Sequence, residues 1–207
     1  PWVRCARSWA PGPAGLAAAV VSPGARNTAL AWAFADAADR GALELRVVLD
    51  ERAAAFLALG RARASGAPVA LACTSGSAGA HWLPAAVEAH EGRAPLVLCT
   101  ADRPAELQGV GAPQAIDQRR MFGPFTRFAR DLPAPGAAPD ALWRAVGVDA
   151  ALAARGPVAG PAHVNLAFRE PLWAPDAVAP RLSPRPAPLQ GAPALPAAQV
   201  QALAERL

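Results

Sequence analysis

Polar side chains in this sequence gather where apolar runs stop. Ala17–Val21 leads into Ser22-Pro23-Gly24-Ala25-Arg26-Asn27-Thr28, and Leu43–Leu49 ends against Asp50-Glu51-Arg52. Pro68–Cys73 runs into Thr74-Ser75-Gly76-Ser77-Ala78-Gly79-Ala80-His81, and Pro95–Thr100 into Ala101-Asp102-Arg103-Pro104. A carboxylate such as Glu51 at the end of a buried run is costly to desolvate. It is either an acid favoured at the first turn of a helix or a group that the fold holds there for chemistry. The other segments carry the same ambiguity. Pro23-Gly24 makes a turn, with Asn27 or Thr28 as a helix N-cap. The Thr74–His81 segment is a capped helix start whose N–H groups either satisfy themselves or hold an anion. Asp102 and Arg103 form a local ion pair or face a ligand. The G-x-S-x-G order is missing around Ser75 and Ser77, and neither a P-loop nor G-x-G-x-x-G occurs, so a nucleophile elbow and ordinary nucleotide sites lack support.

Those four segments need a scaffold that brings them together. Short apolar runs predict strands at Ala17–Val21, Leu43–Leu49, Pro68–Cys73, Pro95–Thr100, Phe125–Asp131 and Ala162–Leu166. Amphipathic patterns predict helices near Thr28–Asp39, Arg52–Ala64, Ala78–His90 and Pro139–Ala154. Runs without polar alternation suit strands buried on both faces. The alternating rhythm predicts an α/β, doubly wound, mostly parallel sheet with helices on both faces. In such sheets ligands bind beyond the carboxyl ends of the strands, so the four segments describe one rim. His81 and His90, nine apart, do not share a helical face and read as structural. His163 interrupts a strand-like run and carries no further signal. The tryptophans lack periodic spacing and are expected in the core and at domain contacts.

Hydrophobic residues make up 53% of the 207 and charged ones 17%, which favours a folded globular chain. The net charge of +4 comes entirely from arginine, since there is no lysine. The arginines are scattered singly rather than in runs, which argues against a nucleic-acid surface. Cys5, Cys73 and Cys99 form no CxxC or metal-ligand spacing and are expected to be reduced, with Cys73 and Cys99 buried. No signal-peptide pattern and no apolar run of about 18 residues occurs, so no membrane insertion and a cytoplasmic location are expected. Residues 1–172 read as one domain. Residues 173–207 read as a Pro-rich linker and the truncated start of a further domain. Trp2–Ala10 is helix-compatible, but Pro11-Gly12-Pro13 breaks it from the first strand.

Taken in order, the motifs resemble those of the 2-succinyl-5-enolpyruvyl-6-hydroxy-3-cyclohexene-1-carboxylate synthases, thiamine-diphosphate enzymes of menaquinone biosynthesis. Ser22–Thr28 is similar to their SPGSRST segment, and DERAAAFLALGRA from Asp50 to DERxAxFxALGxA. TSGSAGAHWLPAAVEAH from Thr74 is similar to TSGTAxANLxPAVxEA. LVLCTADRPAEL from Leu96 is similar to LxLTADRPxEL, and GAPQAIDQRRMFG from Gly111 to GANQxIxQxxxFG. The likeness runs from about Val20 to Trp173.

This resemblance implies the N-terminal, pyrimidine-binding domain of a transferase that uses thiamine diphosphate and Mg²⁺ at sites shared between subunits of a homo-oligomer. The implied substrates are 2-oxoglutarate, which is decarboxylated, and isochorismate. Glu51 takes the place of the family's catalytic glutamate, whose task is to hydrogen-bond the aminopyrimidine N1′ of the cofactor. Ser75, Gly76 and Ser77 are implied to lie against the cofactor, and Arg26, Arg103 and Gln114 to bind substrate. No metal ligand is implied here, because the family's G-D-G-S metal motif is absent from this sequence. The fragment is therefore expected to be inactive without the remaining domains. Ala25 and Pro113 depart from the family's serine and asparagine. Another thiamine-diphosphate keto-acid decarboxylase or acetolactate-type enzyme, and a non-catalytic dimerisation or ligand-binding module, are the alternatives.

Overall fold

The computed structural model describes residues 15–172 and residue 201. The expected N-terminal helix, Cys5, the Pro11–Pro13 break and the linker after Leu172 lie outside the described residues, apart from Gln201. Six strands form one parallel sheet: β1 (Ala18–Val21), β2 (Glu44–Val47), β3 (Val69–Cys73), β4 (Leu96–Asp102), β5 (Phe128–Leu132) and β6 (Pro161–Ala167), in the order β2-β1-β3-β4-β6-β5. Four α-helices cross between them: α1 (Thr28–Asp39), α2 (Glu51–Ser65), α3 (Leu83–Glu91) and α4 (Asp140–Arg155).

Side chains alternate across each strand, so the central strands β1, β3 and β4 feed two cores. Ala19, Val21, Ala70, Ala72, Val97, Cys99 and Val164 pack with α1 and α4 around Phe34 and Trp143. Ala18, Val20, Val69, Leu71, Leu96 and Leu98 pack with α2 and α3 around Trp82 and Phe122. The helices present mostly alanine inward, as at Ala54, Ala55, Ala58 and Ala62 of α2. Short inward side chains let the helix axes lie close, and the two buried tryptophans fill the wider gaps.

Three departures from the sequence reading have local causes. The strands at the two edges are not buried on both faces: β2 and most of β5 are half-buried or exposed, because an edge strand has a neighbour on one side only. Phe125 lies outside β5, since Gly123-Pro124-Phe125 forms a 3₁₀ turn and Pro124 has no N–H for a ladder. The predicted helix from Ala78 is split into a 3₁₀ segment, Gly76–Trp82, followed by α3 with Pro84 in its first turn.

Register fixes the rim. Val21 lies beside Val47 and Ala72, Cys73 beside Thr100, and Asp102 beside Ala167. The segments after β1, β2, β3 and β4 therefore leave the sheet on the same side.

Candidate active site at the carboxyl ends of the strands

Glu51 is the first residue of α2, and the preceding Asp50 caps that helix by accepting from the Ala53 N–H at 2.7 Å. The capping task thus belongs to Asp50. Among the described residues the half-buried Glu51 carboxylate has no hydrogen-bond or ion-pair partner. Its charge is felt by Cys73 at the end of β3. Burial first, and the Glu51 charge second, push the Cys73 thiol well up. Cys73 is therefore a neutral wall beside the carboxylate, and Cys99 is raised by burial in the same way.

The loop after β1 is tied down by Asn27. Its side chain does not cap α1: Oδ1 accepts from the Gly24 N–H at 2.8 Å, and Nδ2 donates to the Ser22 carbonyl at 2.9 Å. Gly24 is pressed on Thr74, where an added Cβ would lie 2.6 Å from the Thr74 Cβ. This loop delivers Arg26, which is 8% exposed. Its guanidinium donates to the Phe168 carbonyl at 3.0 Å and meets Glu170 at 3.3 Å, while its buried Nε has no partner among the described residues.

Arg103 follows β4. Asp102 takes the Arg103 backbone N–H at 2.7 Å rather than the guanidinium. The guanidinium is thereby left to reach Ser75, with Nη1 donating to Ser75 Oγ. Burial first, and the charge of Arg26 second, lower the Arg103 pKa. Two guanidinium groups that disfavour each other are a standing invitation to an anion, because a bound carboxylate relieves both. Gln114, at φ +58°, donates from Nε2 to the Ser75 carbonyl at 3.1 Å. Ser75 is buried, whereas Ser77 is exposed on the outer side of the 3₁₀ segment.

The structure thus gathers Arg26, Arg103, Ser75, Gly76 and Gln114 in one group, with Glu51 beyond Cys73 on the β2 side of the same rim. Sequence reasoning missed what stands beneath and beside them. The end of β6 joins the rim through the Phe168 carbonyl and Glu170. A buried polar network fills the space under it. Thr100 Oγ donates to Asn165 Oδ1 at 2.8 Å, and Asn165 Nδ2 donates to Asp102 at 2.8 Å and Asp131 at 3.2 Å. With its one proton given to Asn165, Thr100 must accept from His163 Nε2 at 2.8 Å, so that nitrogen carries the ring hydrogen. Burial lowers the His163 pKa to about 4, leaving the ring neutral. Gln118 completes the network from the loop that carries Gln114. The one available signal for these residues was polarity inside an apolar run, at His163 and Asn165. His90 is structural, its ring edge-on to Phe125 and its Nε2 3.1 Å from Arg127.

The residues fit the pyrimidine side of a thiamine cofactor. A strand-end carboxylate and a buried Ser22 hydroxyl that have no partner among the described residues, with a neutral thiol at Cys73, offer hydrogen bonds without competing charge. Among the described residues, no three His, Cys, Asp or Glu side chains gather as a metal-holding group. Nor is any described helix long and apolar enough to cross a membrane.

Residues 13–121 match the family described as thiamine pyrophosphate enzyme, N-terminal TPP binding domain. The chain belongs to this family. Within it, the chain is 49% identical over 201 residues to the 2-succinyl-5-enolpyruvyl-6-hydroxy-3-cyclohexene-1-carboxylate synthase of Geobacillus kaustophilus, covering 94% of this chain and 34% of that protein. It is 51% identical over 163 residues to the synthase of the same name from Chloroflexus aurantiacus, covering 76% of this chain and 26% of that one. The Haloarcula marismortui synthase is 46% identical over 160 residues, covering 76% and 26%. The chain spans about a third of the length of the first of these relatives.

Proposed function

We propose that this chain is the pyrimidine-side domain, residues 1–172, of a thiamine-diphosphate-dependent synthase that decarboxylates 2-oxoglutarate and joins the remainder to isochorismate in menaquinone biosynthesis. The observation that carries the reading is that Arg26, held by Phe168 and Glu170, and Arg103, held by Ser75, lie close enough to disfavour each other, at the same strand ends as a Glu51 without a hydrogen-bond partner among the described residues. Both substrates are carboxylates, and two guanidinium forks held by Phe168, Glu170 and Ser75 suit them.

When bound, thiamine diphosphate supplies the electron sink that makes a 2-keto acid lose carbon dioxide. The chain's own residues do the rest of the work on this side. Glu51 hydrogen-bonds the aminopyrimidine N1′ and handles a proton there, with the neutral Cys73 adding no competing charge. Arg26 and Arg103 orient substrate carboxylates, Ser75 and Gln114 keep Arg103 and the Ser75 loop in line, and Ser75, Gly76 and Ser77 border the cofactor. The diphosphate and its Mg²⁺ are assigned to the part of the longer relatives that this chain does not span, in a cytoplasmic homo-oligomer. The full-length protein, assayed with 2-oxoglutarate and isochorismate against pyruvate, should consume the first pair. Exclusive use of pyruvate would overturn the substrate assignment.

A further inference from the structure

The peptide group between Ser75 and Gly76 is gripped at both ends. Its carbonyl oxygen accepts from Gln114 Nε2 at 3.1 Å, and its N–H donates to Gln118 Oε1 at 2.7 Å. Two glutamines four residues apart thus hold one peptide plane, and a flip of that plane would lose both bonds. Gly76 has φ +84°, and a Cβ added there would lie 2.8 Å from Gln114 Cγ, so the close approach and the backbone angle both require glycine.

The two glutamines are not equivalent. Gln114 is exposed, whereas Gln118 is 1% exposed and its amide group is fully engaged. Gln118 Nε2 donates to the Ala101 carbonyl at 3.0 Å and to Asn165 Oδ1 at 2.9 Å. Asn165 donates to Asp102, Asp102 takes the Arg103 N–H, and the Arg103 guanidinium returns to Ser75. The links form a closed ring: Gly76, Gln118, Asn165, Asp102, Arg103, Ser75. Removing Gln118 would leave the Gly76 N–H buried without an acceptor and open the ring at a fully buried member.

We infer that Gln118 is a positioning residue, which fixes the Ser75–Gly76 peptide plane and through it the direction in which Arg103 meets a carboxylate-bearing substrate. The clamp stands on geometry alone, while its consequence for substrate rests on the reading of Arg103 given above.

The test uses the full-length enzyme, with amide exchange at Gly76 and steady-state kinetics on 2-oxoglutarate and isochorismate. Gln118→Met keeps the length of the side chain and removes the amide. Gly76 is expected to be protected in the wild type and to exchange about tenfold faster or more in Q118M. KM should rise about tenfold, with kcat changed less, because ground-state contacts are misaligned. Gln118→Glu keeps an acceptor for the Gly76 N–H but, as a carboxylate, cannot donate to Asn165 Oδ1 or the Ala101 carbonyl, so KM should rise less than in Q118M rather than stay at the wild-type value. It also carries the test if Q118M does not fold. An unprotected Gly76 in the wild type, or unchanged exchange in Q118M, overturns the clamp. Faster exchange with unchanged KM, or a KM in Q118E raised as far as in Q118M, overturns the positioning role. A wild-type enzyme that ignores these substrates refutes the functional reading, and Gly76 exchange still decides the clamp.

Discussion

Replacing His163 by glutamine should make the folded chain less sensitive to acid. The imidazole is 2% exposed, and burial lowers its pKa from 6.5 to about 4. The unfolded chain takes up the proton near 6.5, so the stability contributed by neutral His163 is complete above that pH and is lost as pH falls toward 4. The difference between the two values is worth about 3 kcal/mol at the acid limit, of which about 2 kcal/mol is already lost at pH 5. Glutamine still offers a donor to Thr100 but has no proton to gain. Urea denaturation of both chains at about pH 7.5 and about pH 5, followed by the emission of the buried Trp82 and Trp143, measures the effect. Between those conditions the wild type should lose about 2 kcal/mol more than the variant. Equal losses would refute the claim that His163 sits neutral inside the network under the rim.

Gly24→Ala should destabilise the chain by about 1–3 kcal/mol and lower its urea midpoint, because the new methyl meets the Thr74 Cβ, which cannot rotate away; an unchanged midpoint would contradict the close packing of these two loops. Cys73 and Cys99, both buried with raised pKa, should resist alkylation at about pH 8 until denaturant is added. Peptide mapping by mass spectrometry reads this directly, and rapid labelling of either in the native chain would count against the core described above.

Much of the fold was legible because parallel strands covered on both sides must be continuously apolar, and Val20, Leu71 and Leu98 sit in such runs. The edges were not legible, since Leu45 and Val47 read as apolar whether or not a helix covers them. The rim was legible at its first four segments because each abuts a strand end. Its fifth part, the Phe168 carbonyl and Glu170, offered no side-chain pattern to notice. Gln118 lay within a quoted motif, yet its part in the ring depends on Asn165 being 47 residues away in sequence and 2.9 Å away in space. Asp102 and Arg103 illustrate the same limit. Adjacent opposite charges suggested a pair, but the carboxylate takes the backbone N–H and leaves the guanidinium free for Ser75.

The central claim is that Glu51 handles a proton for a bound thiamine cofactor. Glu51→Gln changes one oxygen to an amide nitrogen in a side chain with no hydrogen-bond partner among the described residues, so the fold should be undisturbed. In the full-length enzyme, the rate of deuterium exchange at the cofactor's C2 position, followed by proton NMR, reports the function alone. The account predicts a fall of about 10²–10⁴-fold with the cofactor still bound. Exchange at a near-normal rate in Glu51→Gln would contradict it.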